Sequence, residues 1–122
     1  MNADLMAEHD PQMLKGIVAM LLLRVLAGEE SYGYSIVERL QAAGFTDLSE
    51  GTVYPALSRL EQKGLLESRL VRSASGPARK YYRPTVDGRA ELARLNLAWS
   101  VMIDQVAAIA PAGSSAPSEV EA

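Results

Sequence analysis

The stretch SEGTVYPALSRLEQKGLL, residues 49–66, contains the start of a helix, its end and the beginning of a strand. Ser49 stands where a helix-capping hydroxyl is expected, and Gly64 stands where a glycine commonly ends a helix. Between them, apolar side chains recur with helical spacing, at Val53, Leu57 and Leu60. This stripe predicts an amphipathic helix that turns one side toward a core.

The other face of this helix is polar and suits the groove of DNA. It carries small residues, hydroxyls, an amide and a guanidinium, at Gly51, Thr52, Pro55, Ser58, Arg59 and Gln62, with Tyr54 on the flank. Pro55 lacks a backbone donor and is tolerated only near the first turn, so we expect the helix to begin at Gly51 or Thr52. Taken alone, the segment is equally consistent with an ordinary amphipathic helix of a small helical domain.

Arg59, Thr52 and Tyr54 are the strongest candidates for contacts with bases or phosphates. Arginine can bond guanine through two donors, and the tyrosine hydroxyl is a common donor to phosphate. The same helix adds further polar candidates, at Ser49, Ser58 and Lys63. Tyr34, near the start of the preceding helix, either contacts a phosphate or packs in the core.

The first helix is expected to begin after Asp10, with Pro11 in its first position, and to end at about Ala27, before Gly28. It is apolar on nearly every side. Such a helix needs cover on more than one side, which implies a second chain.

The second helix is expected to open with residues 31–35 and to stop at Gly44. Its inward-facing side chains are apolar, at Ile36, Val37 and Leu40. Residues 45–48 then form the turn before the third helix, so the two helices and the turn predict a helix-turn-helix.

A basic hairpin follows the third helix. Residues 65–72 and 79–83 are expected to be strands, joined by a turn-rich tip at residues 73–77. From Arg59 to Arg83 there are seven basic and two acidic residues, although the whole chain has a net charge of −3. Because local potential decides whether phosphates are attracted, the low net charge does not exclude nucleic acid.

Arg79 and Lys80, together with Arg72, are interpreted as a wing that reaches phosphates or the minor groove. The alternative is a solvated strand edge, where basic side chains discourage pairing between sheets. Tyr81 and Tyr82 are neighbours on a strand and are expected to divide between core and surface.

Thr85 is expected to cap a long last helix that ends at about Ala110. Its apolar side chains are alternately three and four residues apart, at Leu92, Leu95, Trp99, Met102, Val106 and Ile109. This spacing predicts a dimerisation seam along the last helix. Trp99 is either a large plug in the dimer interface or, with Leu95 and Met102, a wall of a pocket for a flat apolar effector.

The composition excludes several classes of function. A chain of 122 residues suffices for one domain, and the absence of cysteine excludes disulfides, thiolate nucleophiles and cysteine-ligated metals. The single histidine, His9, lies in a segment expected to be frayed, so neither a metal site nor a serine–histidine–aspartate triad is expected. No glycine-rich phosphate-binding motif occurs. We therefore predict no cofactor and no enzymatic activity.

The longest unbroken apolar run, residues 17–23, is far shorter than the ~20 residues that a membrane span needs. The first ten residues lack the basic region of a signal peptide, and we predict a cytoplasmic protein. The expected organisation has four parts: a flexible N-terminus (1–10), a winged helix-turn-helix domain (11–84), a dimerisation helix (85–110) and a disordered tail (111–122).

Four segments of the chain together resemble the PadR family of bacterial transcriptional regulators. They are LKGIV at 14–18, YGYSI at 32–36, EGTVYPALSRLEQKGLL at 50–66 and RKYYRPT at 79–85. The resemblance runs in order over roughly residues 12–109, and the GTVYPAL block is its most specific part. It is a resemblance to the short subfamily, which has a single C-terminal helix.

The resemblance implies a homodimeric winged-helix repressor, mainly α with a small β-hairpin wing. It implies that Thr52, Tyr54 and Arg59 of the third helix, and Arg79 and Lys80 of the wing, face operator DNA. Some short members bind flat aromatic compounds at the dimer centre beside a tryptophan of the last helix, and this chain has a tryptophan in the matching place. The alternative function is a winged-helix protein-interaction adaptor that has no DNA role.

Overall fold

The computed structural model describes residues 9–109 and combines four helices with a three-stranded antiparallel sheet. The elements are α1 (Pro11–Gly28), β1 (Ser31–Tyr32), α2 (Gly33–Ala42), α3 (Glu50–Gln62), β2 (Leu66–Val71), β3 (Arg79–Pro84) and α4 (Val86–Ala108). α2 and α3 form the helix-turn-helix, and β2, β3 and their connection form the wing. The mainly helical winged helix-turn-helix class is thus confirmed.

α1 is capped as its sequence predicts. The carboxylate of Asp10 accepts hydrogen bonds from the backbone N–H groups of Gln12 (2.9 Å) and Met13 (3.0 Å). The helix packs against α2, α3 and β3, and its most buried side chains belong to the core, at Leu22, Leu23 and Leu26. Met13, near the start of the helix, is 73% exposed, so residues 9–109 leave its side chain largely uncovered.

By length and composition alone, α1 is long and apolar enough to cross a membrane, with a mean hydropathy of 1.4 over Pro11–Gly28. No segment was expected to be long and apolar enough to span a membrane, and this expectation was wrong by the criterion of length and hydropathy. It rested on the longest unbroken apolar run, whereas mean hydropathy also includes helices interrupted by single polar residues. The contacts of α1 with the other elements indicate a core helix and not a membrane span. Leu22 and Leu23 are completely buried among the other elements, which is the arrangement of a core helix.

Ser31 and Tyr32 were expected to open the second helix, but they form the strand β1. They pair with β3 in the register Ser31–Tyr82 and Tyr32–Tyr81, and the sheet has the order β1-β3-β2. The backbone of Tyr32 is extended, and α2 begins at Gly33. Pairing with a strand some fifty residues later overrides the local helix-start pattern, which contains no information about β3.

The turn between α2 and α3 is anchored in the core. α2 ends at Ala42, two residues before Gly44, and buries the three apolar side chains that its spacing predicts. Leu48 in the turn is 1% exposed, and its carbonyl oxygen accepts a hydrogen bond from Nε2 of Gln41 at 3.0 Å. This anchoring fixes where α3 begins.

α3 begins at Glu50, earlier than the expected Gly51 or Thr52, and contains Pro55 as its sixth residue. The helix continues through the proline although the N–H that would bond to the carbonyl of Gly51 is missing. Four buried side chains on the core side hold it in place, at Val53, Ala56, Leu57 and Leu60. Ser49 occupies the capping position, but its side chain makes no capping hydrogen bond.

The wing strands are close to the expected ones, at 66–71 and 79–84. Tyr82 is buried and Tyr81 is half-buried, which confirms that the two divide between the faces of the strand. By the same alternation Lys80 lies on the face of Tyr82, toward α3, and Arg79 lies on the opposite face with Tyr81.

The start of α4 is tied to the end of α3. The hydroxyl of Thr85 donates to the carbonyl of Gly64 at 2.6 Å and accepts from the N–H of Gly88 at 2.9 Å, which confirms the expected cap. The N–H of Thr85 also donates to the carbonyl of Leu65 at 3.1 Å. Gly64 itself has φ +77°, a backbone conformation that suits glycine at the end of a helix.

The chain divides into two units, one up to Leu92 and one from Ala93 onward, and the boundary falls within α4. α4 ends at Ala108, slightly before the expected Ala110. The expected flexible N-terminus and disordered tail concern residues 1–8 and 110–122, which lie outside the described residues.

We expect Gly88→Ala to destabilise the protein. A Cβ atom at this position would lie 1.9 Å from the carbonyl oxygen of Leu65, so the first turn of α4 would have to move. Overpacking of this kind costs about 1–3 kcal/mol and sometimes more. Urea denaturation followed by circular dichroism measures the effect. Gly16→Ala, a helical position with nothing within 4 Å, is the matched control, and an equal midpoint for both variants would contradict the contact.

Candidate nucleic-acid interface

α3 separates its apolar and polar residues as its periodicity predicts. The exposed positions include every candidate that the sequence places on this segment, at Ser49, Thr52, Tyr54, Ser58, Arg59 and Lys63. The buried positions face the other way, toward α1, α2 and β2. The helix therefore presents hydroxyl, phenol, guanidinium and ammonium groups on one continuous surface.

Arg59 and Lys63 make no ion pair with any residue between 9 and 109. Arg59 and Thr52 line one side of a groove of about 470 Å³, and Lys15 of α1 lines the other side. The positive charges of Arg59 and Lys63 are therefore available to an external anion. An exposed guanidinium on the polar side of a helix is well suited to base edges in a major groove.

Tyr34 and Tyr54 come together although they lie on different helices. Both line a second groove, of about 340 Å³, whose other side is formed by Arg79 and Lys80 of the wing. Gly33 allows this approach, because a Cβ atom there would lie 2.5 Å from the ring of Tyr54. The groove joins candidates from α2, α3 and β3, which sequence separation alone does not reveal.

Both phenols keep their protons at neutral pH. The nearby Glu38 carboxylate raises the pKa of Tyr34 above its ordinary value of 10.0. Burial raises the pKa of Tyr54 in the same direction. A protonated phenol can donate a hydrogen bond to a phosphate oxygen. The hydroxyl of Tyr34 is already hydrogen-bonded to Glu38, whereas the pKa shift of Tyr54 comes mainly from burial.

Most of the wing's basic residues are already paired with acids. Arg69 bonds to Glu30, and Nε of Arg83 donates to Glu67 at 2.7 Å. Lys80, treated as a free wing cation at the sequence level, lies 3.1 Å from a carboxylate oxygen of Glu61. Glu61 and Glu67 are already included in the residue count for 59–83, and Glu30, which lies outside that range, lowers the local excess of positive charge below the count.

Arg72 and Arg79 remain without an ion-pair partner among residues 9–109. The guanidinium carbon of Arg79 lies 4.4 Å from the ring centre of Tyr32, and Tyr32 in turn packs against Tyr81 at 5.3 Å. This cation–π contact holds Arg79 in one orientation without neutralising it. Tyr32 has a positioning role that the sequence does not indicate, since it depends on the unexpected β1 strand.

Glu61, near the end of α3, is the polar residue that sequence reasoning missed. Its carboxylate accepts a hydrogen bond from the hydroxyl of Ser68 on β2 at 2.6 Å and pairs with Lys80 on β3. The Ser68 hydroxyl lowers the pKa of Glu61, and the bond to Glu61 raises the pKa of Lys80. No local sequence pattern marks this contact, because its three members come from three elements.

His9 is not frayed, contrary to the expectation. Its backbone N–H donates to Oδ2 of Asp47 at 2.9 Å, its Nδ1 lies 2.9 Å from Oδ1, and its ring stacks on Phe45 at 4.8 Å. The backbone N–H of His9 is also the main cause that lowers the pKa of Asp47. Between residues 9 and 109, no group of three or more histidine, cysteine or acidic side chains is placed to hold a metal ion.

The predicted dimerisation seam lies on α4 and the residue after its end, and is called the α4 seam: Leu92, Leu95, Trp99, Met102, Val106 and Ile109. It is exposed toward its C-terminal end. Met102, Val106 and Ile109 are 56%, 66% and 76% exposed, and Leu92 and Leu95 are half-buried. Trp99 is 36% exposed. Large apolar side chains repeated along one helix at this exposure are typical of a surface that another chain covers.

A comparison with known families matches most of the described chain. Residues 22–94 match the model of the transcriptional regulator PadR-like family. A transcriptional regulator of Mycobacterium tuberculosis is 40% identical over 78 residues, which cover 64% of this chain and 71% of that protein.

Solved structures agree with this match. A PadR-like transcriptional regulator from Bacillus cereus is similar with a TM-score of 0.72 and 39% identity, over 78% of this chain and 92% of that one. Bacillus subtilis PadR, solved in complex with operator DNA, shares the fold with a TM-score of 0.60 and 23% identity, over 65% of this chain and 46% of that one.

Proposed function

Because the chain belongs to the PadR-like family of transcriptional regulators, a family of regulators and not of enzymes, we propose that it is a sequence-specific DNA-binding protein. In this proposal it works as a homodimer in the cytoplasm and represses transcription by occupying an operator. The exposed polar face of α3, with the unpaired charges of Arg59 and Lys63 beside the wing, is the observation that carries the proposal.

The proposed DNA contacts come from three elements. They are Tyr34 of α2, the capping residue and polar face of α3, and the two basic residues of β3: Tyr34, Ser49, Thr52, Tyr54, Ser58, Arg59, Lys63, Arg79 and Lys80. Arg59 and Thr52 are proposed to meet base edges, and the tyrosines and wing cations to meet phosphates. The operator complex of Bacillus subtilis PadR, which shares this fold, supports the choice of ligand.

The α4 seam is the proposed dimerisation surface. A second copy would cover the exposed apolar side chains of the seam, and exposed Met13 makes α1 a further candidate for cover by the partner. Two recognition helices would then read two half-sites about 10 bp apart, centre to centre.

The test of this function is fluorescence anisotropy with the DNA duplex from upstream of the protein's own coding region, at two salt concentrations, with random DNA as competitor. We expect tight binding that weakens with salt, because each phosphate contact releases condensed counterions. Binding should resist the random competitor. Equal weak binding to both duplexes, with little salt dependence, would support the adaptor function instead.

We expect Arg59→Ala and Tyr54→Ala each to weaken binding to this upstream duplex by ~1–3 kcal/mol, because each removes a direct contact to DNA. Dimer mass should be unchanged. Arg89→Ala, which removes an exposed arginine outside α3 and the wing, is the control for the loss of one positive charge. Wild-type affinity in both test variants would show that the recognition face is wrong.

We expect Leu95→Asp to dissociate the dimer, because the seam would then bury an unpaired carboxylate. Light scattering measures the mass. Leu97→Asp places the same charge two residues away, at a side chain that is 67% exposed and outside the α4 seam, and should leave the dimer intact. An unchanged mass for Leu95→Asp would refute the assignment of the seam.

A small aromatic effector is proposed to bind at the dimer centre against Trp99, with Leu95 and Met102 as neighbouring walls. An indole offers a broad surface for stacking, and Trp99 is the single tryptophan of the chain. We expect a planar aromatic ligand that releases the operator to quench tryptophan fluorescence, and Trp99→Leu to lose that release while keeping operator binding. Release that is unaffected by Trp99→Leu would place the effector elsewhere.

A further inference from the structure

The carboxylate of Glu61 lies next to the wing lysine, Lys80, and forms an ion pair with it. Its Oε1 is 3.1 Å from Nζ of Lys80, and its Oε2 accepts the hydroxyl hydrogen of Ser68 at 2.6 Å. The recognition helix and both wing strands thus meet at one carboxylate. Nζ of Lys80 also lies 5.5 Å from the ring centre of Tyr82, which gives the ammonium group a second contact within the chain.

The pair is exposed enough to open. The side chains of Lys80 and Glu61 are 49% and 31% exposed, and an exposed ion pair contributes little to stability. A phosphate placed correctly can therefore displace the carboxylate at small cost. A phosphate that is out of position leaves Lys80 with its internal partner.

We propose that Glu61 is a specificity-determining positioning residue, an internal substitute for phosphate that releases Lys80 only when α3 is fully seated in its operator. The inference rests on the proposed DNA-binding function. On random DNA, where α3 is not seated, Lys80 stays paired with Glu61 and adds nothing to affinity. On the operator, Lys80 exchanges Glu61 for a phosphate oxygen, so one phosphate contact depends on sequence.

This exchange has a signature in the salt dependence of binding. The slope of log affinity against log salt changes by about 0.9 for each phosphate neutralised on duplex DNA. Glu61→Gln keeps the shape of the side chain and an oxygen that can accept the Ser68 hydrogen bond, but removes the charge that retains Lys80. We expect the slope on random DNA to become steeper by about 0.9 in this variant, and the slope on the operator to stay unchanged.

The affinity for random DNA should rise about three- to tenfold near 0.1 M salt, which follows from one added phosphate contact, and the preference for operator should fall. Lys80→Gln should make the operator slope shallower by about 0.9 and leave the random-DNA slope as in the wild type. In Glu61→Gln/Lys80→Gln the random-DNA slope should return to the wild-type value, because the freed cation is gone.

Glu67→Gln is the matched control. It removes a carboxylate of β2 and frees Arg83, which lies on the other face of the sheet from Lys80. If this variant steepened the random-DNA slope as much as Glu61→Gln does, general charge would explain the effect and the inference would fail. Urea denaturation of each variant establishes that it is folded.

The experiment uses the full chain, a duplex selected by this protein from a random-sequence library, and a shuffled duplex of the same composition. Unchanged slopes in Glu61→Gln on both duplexes, or equal steepening on both, would overturn the inference, since Lys80 would then not exchange partners selectively. If the wild-type protein selected no duplex at all, the proposed function would fail first, and the two failures are therefore distinguishable.

Discussion

Burial of four side chains on one side of α3 is the constraint on which the rest of the structure depends. Val53, Ala56, Leu57 and Leu60 are at most 5% exposed and pack against α1, α2 and β2. Because helical geometry fixes the angle between residues, burying this stripe orients the polar residues toward solvent as one surface. The stripe also keeps α3 continuous through Pro55, where a hydrogen bond is missing. A polar surface that is set by a core can be changed residue by residue without rebuilding the fold.

The electrostatics of the surface are organised by pairing more than by the number of charges. Three wing cations are paired with acids, whereas four cations of α3, its C-terminal end and the wing have no ion-pair partner among residues 9–109: Arg59, Lys63, Arg72 and Arg79. Stacking on Tyr32 fixes the orientation of one of them, Arg79, without neutralising it. A chain with a net charge of −3 therefore presents a locally basic surface, as the sequence-level charge distribution predicted.

Much of the fold follows from sequence because it depends on local patterns. Each of these patterns is determined by residues close together in sequence: the caps at Asp10 and Thr85, the apolar spacing of α2 and α3, and the stop at Gly64. What the sequence did not reveal depends on distant partners. β1 exists because β3 pairs with it, and the His9–Asp47 and Glu61–Lys80 contacts join residues 38 and 19 positions apart.

The candidate interface divides in the same way. The exposed positions of α3 could be assigned from helical periodicity, because one buried stripe determines the opposite face. The groove lined by Tyr34, Tyr54, Arg79 and Lys80 could not be predicted in this way, since three elements form it. The ring of Tyr54 also lies so close to Gly33 that only a residue without a side chain fits there. The state of each wing cation likewise depends on which carboxylate the fold brings beside it, and residue counting cannot supply that.

The contacts of Thr85 and Gly88 have a mechanical meaning. Thr85 bonds to the carbonyls of Gly64 and Leu65, and the backbone at Gly88 lies so close to Leu65 that no side chain fits between. The first turn of α4 is therefore held closely against Gly64 and Leu65, the residues that follow the C-terminal end of α3. A displacement of this turn requires Gly64 and Leu65 to move with it, so the N-terminal end of α4 and the C-terminal end of α3 are coupled.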